Sequence, residues 1–546
     1  MTVPAARVVP NVPTFPVDGG FWYSVPDRLA DLLEIGSIVR VPLGGRRVRG
    51  WVVELGVGDP DALKEISGVS GSQPVFDGPL FESLRWAASH YVAPVSVLLA
   101  KATPPNLPKS TPQSDLSSRS SDEGQSLPVG RRAHPLRAVA LDVAAGRKRP
   151  TQAMLGRWQS LEWLPALSPL FHAGRSALVI AGSAAEVVSI GSQAREGLSV
   201  PVIEVAGGVD AELTRAWERA QAPGTLIVGT PRTATWSIAS LGLVVVLEEG
   251  RRSMKDRQTP TLHVREVIRR RSLLEGFTTV FFGPTPSVEI LATGAETTMV
   301  ANRAWPLVEI VDRSLEPPGS GLLAPAVSAA LKAITDSGQR SFLHTTHRMV
   351  DEVIKEANAR LGAPSAGVAG SGRPITVGTE RDIAGLQPVS LVVAANPDGM
   401  MLGRGYRTSE ETLRVLARVA NALKAGSGHR MMVQTMDVNS DLAEALRKGD
   451  PLPYLERVLV ERSRGGLPPS TEMVAVEIRG EIPEGVAGQL SSIEGAIVVG
   501  PVEVESGRRW LLQGDLAPAR RTLRKMATAW RGAGATLRID VDPIDL

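Results

Sequence analysis

The sequence predicts an α/β protein. Two tandem α/β lobes are preceded by a β-rich unit and followed by a small α/β domain. Short, wholly apolar runs such as Ala177-Leu178-Val179-Ile180 and Leu243-Val244-Val245-Val246 alternate with longer helical patterns. Strands without polar alternation belong to parallel sheets covered on both faces. The alternation occurs twice in succession, which gives two lobes and not one.

Residues 1–108 form the β-rich unit. A strand over 39–43 runs into Gly44-Gly45, and 46–53 returns as the second strand of a hairpin. Leu84, Ala87, Ala88 and Tyr91 stand at helical spacing. Residues 109–135 shift to Ser, Asp, Gly, Gln and Pro; the run SDLSSRSSDEGQS has too little apolar surface to fold and is expected to be a flexible linker. The first lobe, 136–300, has its strands at 177–180, 226–228, 243–246 and 279–282. The second, 301–470, has them at 341–343, 375–377, 391–393 and 431–434. The tail, 471–546, reads as strands at 473–478 and 510–512, a helix over 517–531 and a last strand at 536–541.

With 546 residues and 43% hydrophobic content the chain supports several cores. The net charge of +3 leaves polyanion binding to local patches and not to a global field. Cysteine is absent, which excludes disulfides, thiolate zinc sites and cysteine catalysis. The amino terminus MTVPAARVVPNVPTF has no long apolar core, so no signal peptide is expected. No apolar run reaches the roughly 20 residues needed to span a bilayer. A cytoplasmic, nucleoid-associated protein with no membrane partner is the expectation.

Glu248 and Glu249 follow the apolar strand at 243–246, where a nucleotide motor holds an Asp-Glu pair for Mg²⁺ and for the attacking water. The position of the Asp is Leu247 and the last position is Gly250. A phosphate-binding loop needs GxxxxGK[ST], whose backbone N–H groups, Lys and hydroxyl hold the phosphates and Mg²⁺. Its place reads Leu155-Gly156-Arg157-Trp158-Gln159-Ser160-Leu161-Glu162. Gly156 is the one vestige, the Lys is missing, and Trp158 is bulky where backbone must approach phosphate. A helix packed on the lobe is expected at 155–162, and solvated carboxylates at 248 and 249. His90, His263, His344 and His347 have no metal-ligand spacing and are expected to be structural or surface residues. Asp540 and Asp542 are expected to form a polar strand edge.

The order of motifs carries a resemblance. Ile227-Val228-Gly229-Thr230-Pro231-Arg232, the strand with Glu248 and Glu249, Ser253-Met254-Lys255, Leu262-His263-Val264-Arg265-Glu266-Val267 and Phe282-Gly283-Pro284-Thr285-Pro286-Ser287 come first. Val377-Gly378-Thr379-Glu380, Asn396-Pro397-Asp398, Tyr406-Arg407 with Glu410, and Val419-Ala420 follow. In this order they resemble the primosomal protein N-prime family (PriA), the superfamily 2 helicases of bacterial replication restart. The resemblance implies two helicase-like (RecA-like) lobes, an amino-terminal 3′-end DNA-binding domain and a small carboxy-terminal domain. Family members use ATP, Mg²⁺ and zinc. The family's Gln-Val-Ala-Gly-Arg-Ala-Gly-Arg helix is here Arg418-Val419-Ala420-Asn421-Ala422-Leu423-Lys424-Ala425, so both phosphate-binding arginines are Ala422 and Ala425. The cysteine-rich zinc module is missing between His347 and Ile375, and the linker takes the place of a winged-helix domain. No cofactor is therefore expected: three parts of one ATP site are altered, and zinc lacks its thiolates.

The resemblance also implies a pocket for the last nucleotide of a nascent strand. Its positions here are Phe21 and Trp22, then Gly44, then Lys64, with Trp22 replacing an acidic residue. Phe21-Trp22-Tyr23 offers either a stacking surface or core side chains. Arg40, Arg46, Arg47 and Arg49 on the neighbouring hairpin suit phosphates. The implied function is a replication restart protein without helicase activity. It would recognise single-stranded, forked or branched DNA and help reload the replicative helicase, with single-stranded DNA-binding protein and helicase-loading proteins as partners. A weak ATP-dependent 3′-to-5′ helicase and a scaffold that no longer binds DNA are the alternatives.

Overall fold

A computed structural model describes residues 2–59, 61–108, 134–317, 319–403, 405–505 and 507–544. The stretch expected as a linker lies, but for His134 and Pro135, outside the described residues. No helix among the described residues is long and apolar enough to cross a membrane.

The amino-terminal unit is a six-stranded barrel. Its strands are β1 (Val3–Pro10), β2 (Phe21–Ser24), β3 (Ile38–Leu43), β4 (Arg46–Gly58), β5 (Lys64–Glu65) and β6 (Gly68–Ser70), in the order β5-β2-β1-β4-β3-β6. The two sheet edges meet through the chain that joins β5 to β6. Ile66 donates its N–H to Ser24 on β2, and Ser67 donates to Arg40 on β3. Gly44 and Gly45, at φ +56° and +78°, make the two-residue turn between β3 and β4. A hairpin of that length wants positive φ at both central positions, which glycine adopts without strain.

The first lobe is a seven-stranded parallel sheet. Its strands are β7 (Gln152–Leu155), β8 (Ser176–Ile180), β9 (Val202–Val205), β10 (Leu226–Gly229), β11 (Leu241–Leu247), β12 (Thr278–Gly283) and β13 (Glu296–Met299), in the order β13-β7-β12-β11-β8-β10-β9. The second lobe is a six-stranded parallel sheet of β14 (Val308–Asp312), β15 (Ser341–His344), β16 (Ala366–Gly367), β17 (Ile375–Gly378), β18 (Leu391–Ala394) and β19 (Arg430–Thr435). Its order is β14-β19-β18-β15-β17-β16. Every residue of β8, β11 from Gly242 onward, β12 and β18 is buried, as unbroken apolar strands require.

The expected helix at 155–162 is not formed. β7 ends at Leu155, and two single 3₁₀ turns follow, Trp158–Ser160 and Leu164–Leu167. Leu161 between them sits at φ +55°, a left-handed conformation that a helix cannot run through.

The tail is a four-stranded antiparallel sheet of β20 (Glu472–Arg479), β21 (Ala496–Val504), β22 (Gly507–Gly514) and β23 (Thr536–Val541), ordered β21-β22-β20-β23. β21 and the helix Val486–Ser491 go beyond the expected pattern. β21 is an edge strand whose Ile497, Val499 and Val502 are exposed, and its register shifts between Val499 and Val502, so no clean alternation marks it.

The units are joined by specific polar contacts. Tyr91, just past the barrel's helix Gly78–His90, accepts the His263 N–H of the first lobe at 3.0 Å. Asp18 accepts the Val95 N–H at 2.8 Å and pairs with Arg524 of the tail. Arg524 and Arg531 lie over the Phe15 ring at 4.9 and 5.5 Å. Lys255 of the first lobe donates to Asp540 at 2.6 Å and to the Val541 carbonyl at 2.7 Å. The expected polar edge is thus a docking point for a buried ammonium, and Asp540 and Asp542 follow from that contact.

Candidate functional site

On β2, alternation separates the two exposed aromatics. Tyr23 points into the barrel, buried, and its hydroxyl donates to the Pro42 carbonyl at 3.3 Å. Phe21, two residues earlier, is on the same side at the strand's open end and is 41% exposed. Trp22 points outward, 37% exposed, and lies over Gly56, where an added Cβ would meet its ring at 3.1 Å. Phe21 and Trp22 therefore serve opposite faces of one strand. Lys64 on β5 pairs in register with Tyr23, on the strand that neighbours β2.

The other predicted residues lie on the β3–β4 hairpin, which the Tyr23–Pro42 bond ties to β2. Gly44 turns it, Arg46 and Arg47 open β4, and both arginines are exposed. Arg40 stands directly opposite Arg49, and Pro42 opposite Arg47, on the outer face. Like charges directly across a strand pair are destabilising unless an anion offsets them.

The cleft between the lobes has a different character. Glu248 and Glu249 are not solvated: both are buried. Glu248, at φ +50°, accepts the indole N–H of Trp158 at 2.9 Å and the Gln159 amide at 3.3 Å. Arg418, on the second-lobe helix Thr408–Ala420 and 1% exposed, donates to Glu186 at 2.6 Å and also to Glu248. Arg251 donates to Glu186 at 2.8 Å. Burial works to raise the Glu186 pKa, but Arg418 and Arg251 together hold it below the ordinary value. Arg157 donates to the Leu423 carbonyl of the second lobe.

A second buried network adjoins the first. Glu249 accepts the Ser287 N–H at 2.7 Å and pairs with Arg265 at 3.3 Å. Burial raises the Glu249 carboxyl above its ordinary value, against the pull of Arg265. Glu289 of the first lobe pairs with Arg407 at 2.6 Å and with Arg462 at 3.1 Å. Despite burial, Arg407, Arg265 and Arg462 hold Glu289 well below the usual carboxylate range.

These residues do not fit a nucleotide. Gly156 lies against Val300, which an added Cβ would meet at 2.8 Å, so close packing accounts for the vestigial glycine. Trp158 occupies the place of the phosphate loop and spends its donor on Glu248. The cavity left beside Glu248, Glu249, Gly283 and Thr285 is about 10 Å³. That is about the room one water needs, against roughly 300–1,000 Å³ for a ligand pocket. Among the described residues no cluster of three His, Asp or Glu side chains is arranged for a metal ion.

Glu186, Arg251 and Arg418 were not among the residues expected to matter. The signal for Arg418 was present, since it stands where the resemblance expects Gln. Glu186 and Arg251 had none, because their meaning depends on Arg418 arriving from the other lobe.

The chain thus sets an exposed aromatic and a basic hairpin on an amino-terminal β-unit that precedes two parallel-sheet α/β lobes. Residues 7–104, which include most of the barrel, match the family model of the 3′ DNA-binding domain (3′BD) of PriA. No curated protein matches the chain. Among solved structures the chain is similar to RecG bound to a three-way DNA junction, at 12% identity and TM-score 0.40, over 60% of this chain and 47% of that one. The chain thus spans about half the length of RecG. It is also similar to S. cerevisiae Dbp5 bound to RNA and ADP BeF3, at 11% identity and TM-score 0.37, over 60% and 88%. A DEAD box protein from Methanococcus jannaschii is similar at 13% identity and TM-score 0.31, over 60% and 91%.

Proposed function

We propose that the protein is a replication restart factor that recognises forked or branched DNA and helps reload the replicative helicase without unwinding DNA itself. The observation that carries this reading is the PriA 3′ DNA-binding domain over residues 7–104. Its exposed Phe21 and its Arg40–Arg49 cross-strand pair are the features a DNA end and its phosphates would use. The filled cleft supports the absence of unwinding, because helicase movement needs a nucleotide between the lobes. Single-stranded DNA-binding protein and helicase-loading proteins are the partners this role calls for.

The test is binding of the purified protein to a fork with a nascent 3′ end, beside a blunt duplex, at two salt concentrations. The reading expects tighter, salt-sensitive binding to the fork. Equal binding to both substrates would sink 3′-end recognition and favour an interaction scaffold.

A further inference from the structure

In a two-lobed motor the nucleotide is what draws the lobes together: its phosphates carry negative charge that groups on both lobes share. Here the cleft is bridged by the chain's own charges. Glu186, Glu248 and Arg251 come from the first lobe and Arg418 from the second, all four buried. Two carboxylates face two guanidiniums, so the group is electrically balanced as it stands. A triphosphate would have to displace Glu186 and Glu248 from Arg418 and leave both carboxylates unpaired beside it. Trp158 closes the same space from the side of the phosphate loop, with its only donor already engaged by Glu248.

The adjoining network repeats the pattern. Glu289 belongs to the first lobe, while Arg407 and Arg462, which hold it, come from the second-lobe side. Arg157 adds a bond from the former loop to the carbonyl of Leu423. These polar bridges cross the cleft, and the Arg252–Glu411 pair at 3.8 Å crosses it beside them. Opening it would strand several buried charges without partners, which is strongly unfavourable once the groups are out of water.

We propose that the Arg418–Glu186–Glu248–Arg251 cluster is a built-in substitute for the nucleotide, a clamp that keeps the two lobes permanently in one closed arrangement. Opening and closing, the step a motor couples to its fuel, is then replaced by a fixed platform behind the DNA-binding barrel. This inference does not depend on which DNA, if any, the barrel binds.

The absence of cysteine makes the test direct. Ser189→Cys and Ala329→Cys introduce one labelling site on an exposed helix position of each lobe. Spin labels on these cysteines in the full chain report the distance between the lobes. The expected result is a single narrow distance distribution that is the same with and without millimolar Mg-ATP. Adding Arg418→Gln should broaden it and shift it several ångström to longer distances. A broad wild-type distribution, or one that narrows or shifts with Mg-ATP, overturns the proposal. An unchanged narrow distribution in a folded Arg418→Gln protein overturns it as well. Should that variant fail to fold, the wild-type comparison with and without nucleotide still decides.

Discussion

Trp158 and Glu248 are hydrogen-bond partners, indole N–H to carboxylate at 2.9 Å. In a motor these two positions would both face the nucleotide. Here each satisfies the other, so the losses in the phosphate loop and in the acidic motif are one structural change. A buried carboxylate that had lost Mg²⁺ alone would be an uncompensated charge. With Trp158, Gln159 and Arg418 around it, Glu248 is kept as a structural residue.

Trp158→Phe removes the donor and trims the buried ring, so a packing cost adds to that of the lost hydrogen bond. The hydrogen bond alone accounts for about 1.5–3 kcal/mol of the expected loss, the range for hydrogen bonds to charged groups, and the total is read from urea denaturation. Trp158→Gly should lower stability further and still give no thermal shift with Mg-ATP. A ligand at 100 times its Kd adds about 2.7 kcal/mol, so a clear stabilisation of the glycine variant would mean that a nucleotide site survives beneath the tryptophan.

Phe21 and Trp22 should differ as DNA contacts, because alternation sends them to opposite faces of β2. Phe21→Ala is expected to weaken binding to a 3′-ended strand by about 1–3 kcal/mol, the usual worth of one base stack. Trp22→Ala should cost less, since that ring already lies over Gly56. Fluorescence anisotropy with a labelled strand separates them. The reverse ranking would place the DNA on the outer face of the barrel.

The arginines of the β3–β4 hairpin make a claim about salt. If Arg47 and Arg49 meet phosphates, each removal should reduce the slope of log K against log salt by about 1 and weaken all sequences alike. The Arg47→Ala, Arg49→Ala double variant is therefore expected to flatten the slope by about 2. An unchanged slope would make them a solvated face. In that case the variant should be more stable than wild type, since Arg49 no longer opposes Arg40.

Much of this fold was legible because its signals are local. The apolar runs at 177–180 and 243–246 are short and rich in branched residues, as buried strands are, and Gly44-Gly45 between two strand patterns reads as a tight turn. The departure of 155–162 from GxxxxGK[ST] was legible, but the local structure that stands there was not. Residues 155–162 have helical composition, and it is the strand pairing of Leu155 with Gly283 and the contact of Trp158 with Glu248 that hold them otherwise. The burial of Glu248 was illegible because it depends on an arginine distant in sequence, and that of Glu249 because its partners Arg265 and Ser287 meet it only through the fold. Arg418 lies 170 residues from Glu248 and 232 from Glu186. Edge strand β21 was missed because exposed Ile497 and Val499 break the alternation that marks a strand with one wet face.

His344 gives a pH dependence that can be assigned to one residue. It closes strand β15, buried between Gly378 and Ala394 of the flanking strands. Burial lowers its pKa to about 4 from the ordinary 6.5, although Glu380 and Asp382 pull the other way. The unfolded chain therefore takes up the proton first as pH falls. The contribution of neutral His344 is fully present above pH 6.5 and is lost as pH falls through about 4. A shift of that size corresponds to roughly 3 kcal/mol at most. His344→Gln cannot titrate, so the stability difference between wild type and variant should shrink or reverse between pH 7 and pH 4.5. Denaturant midpoints at the two pH values measure it. A difference that stays constant across that window would mean that His344 is hydrated and titrates as it does in the unfolded chain.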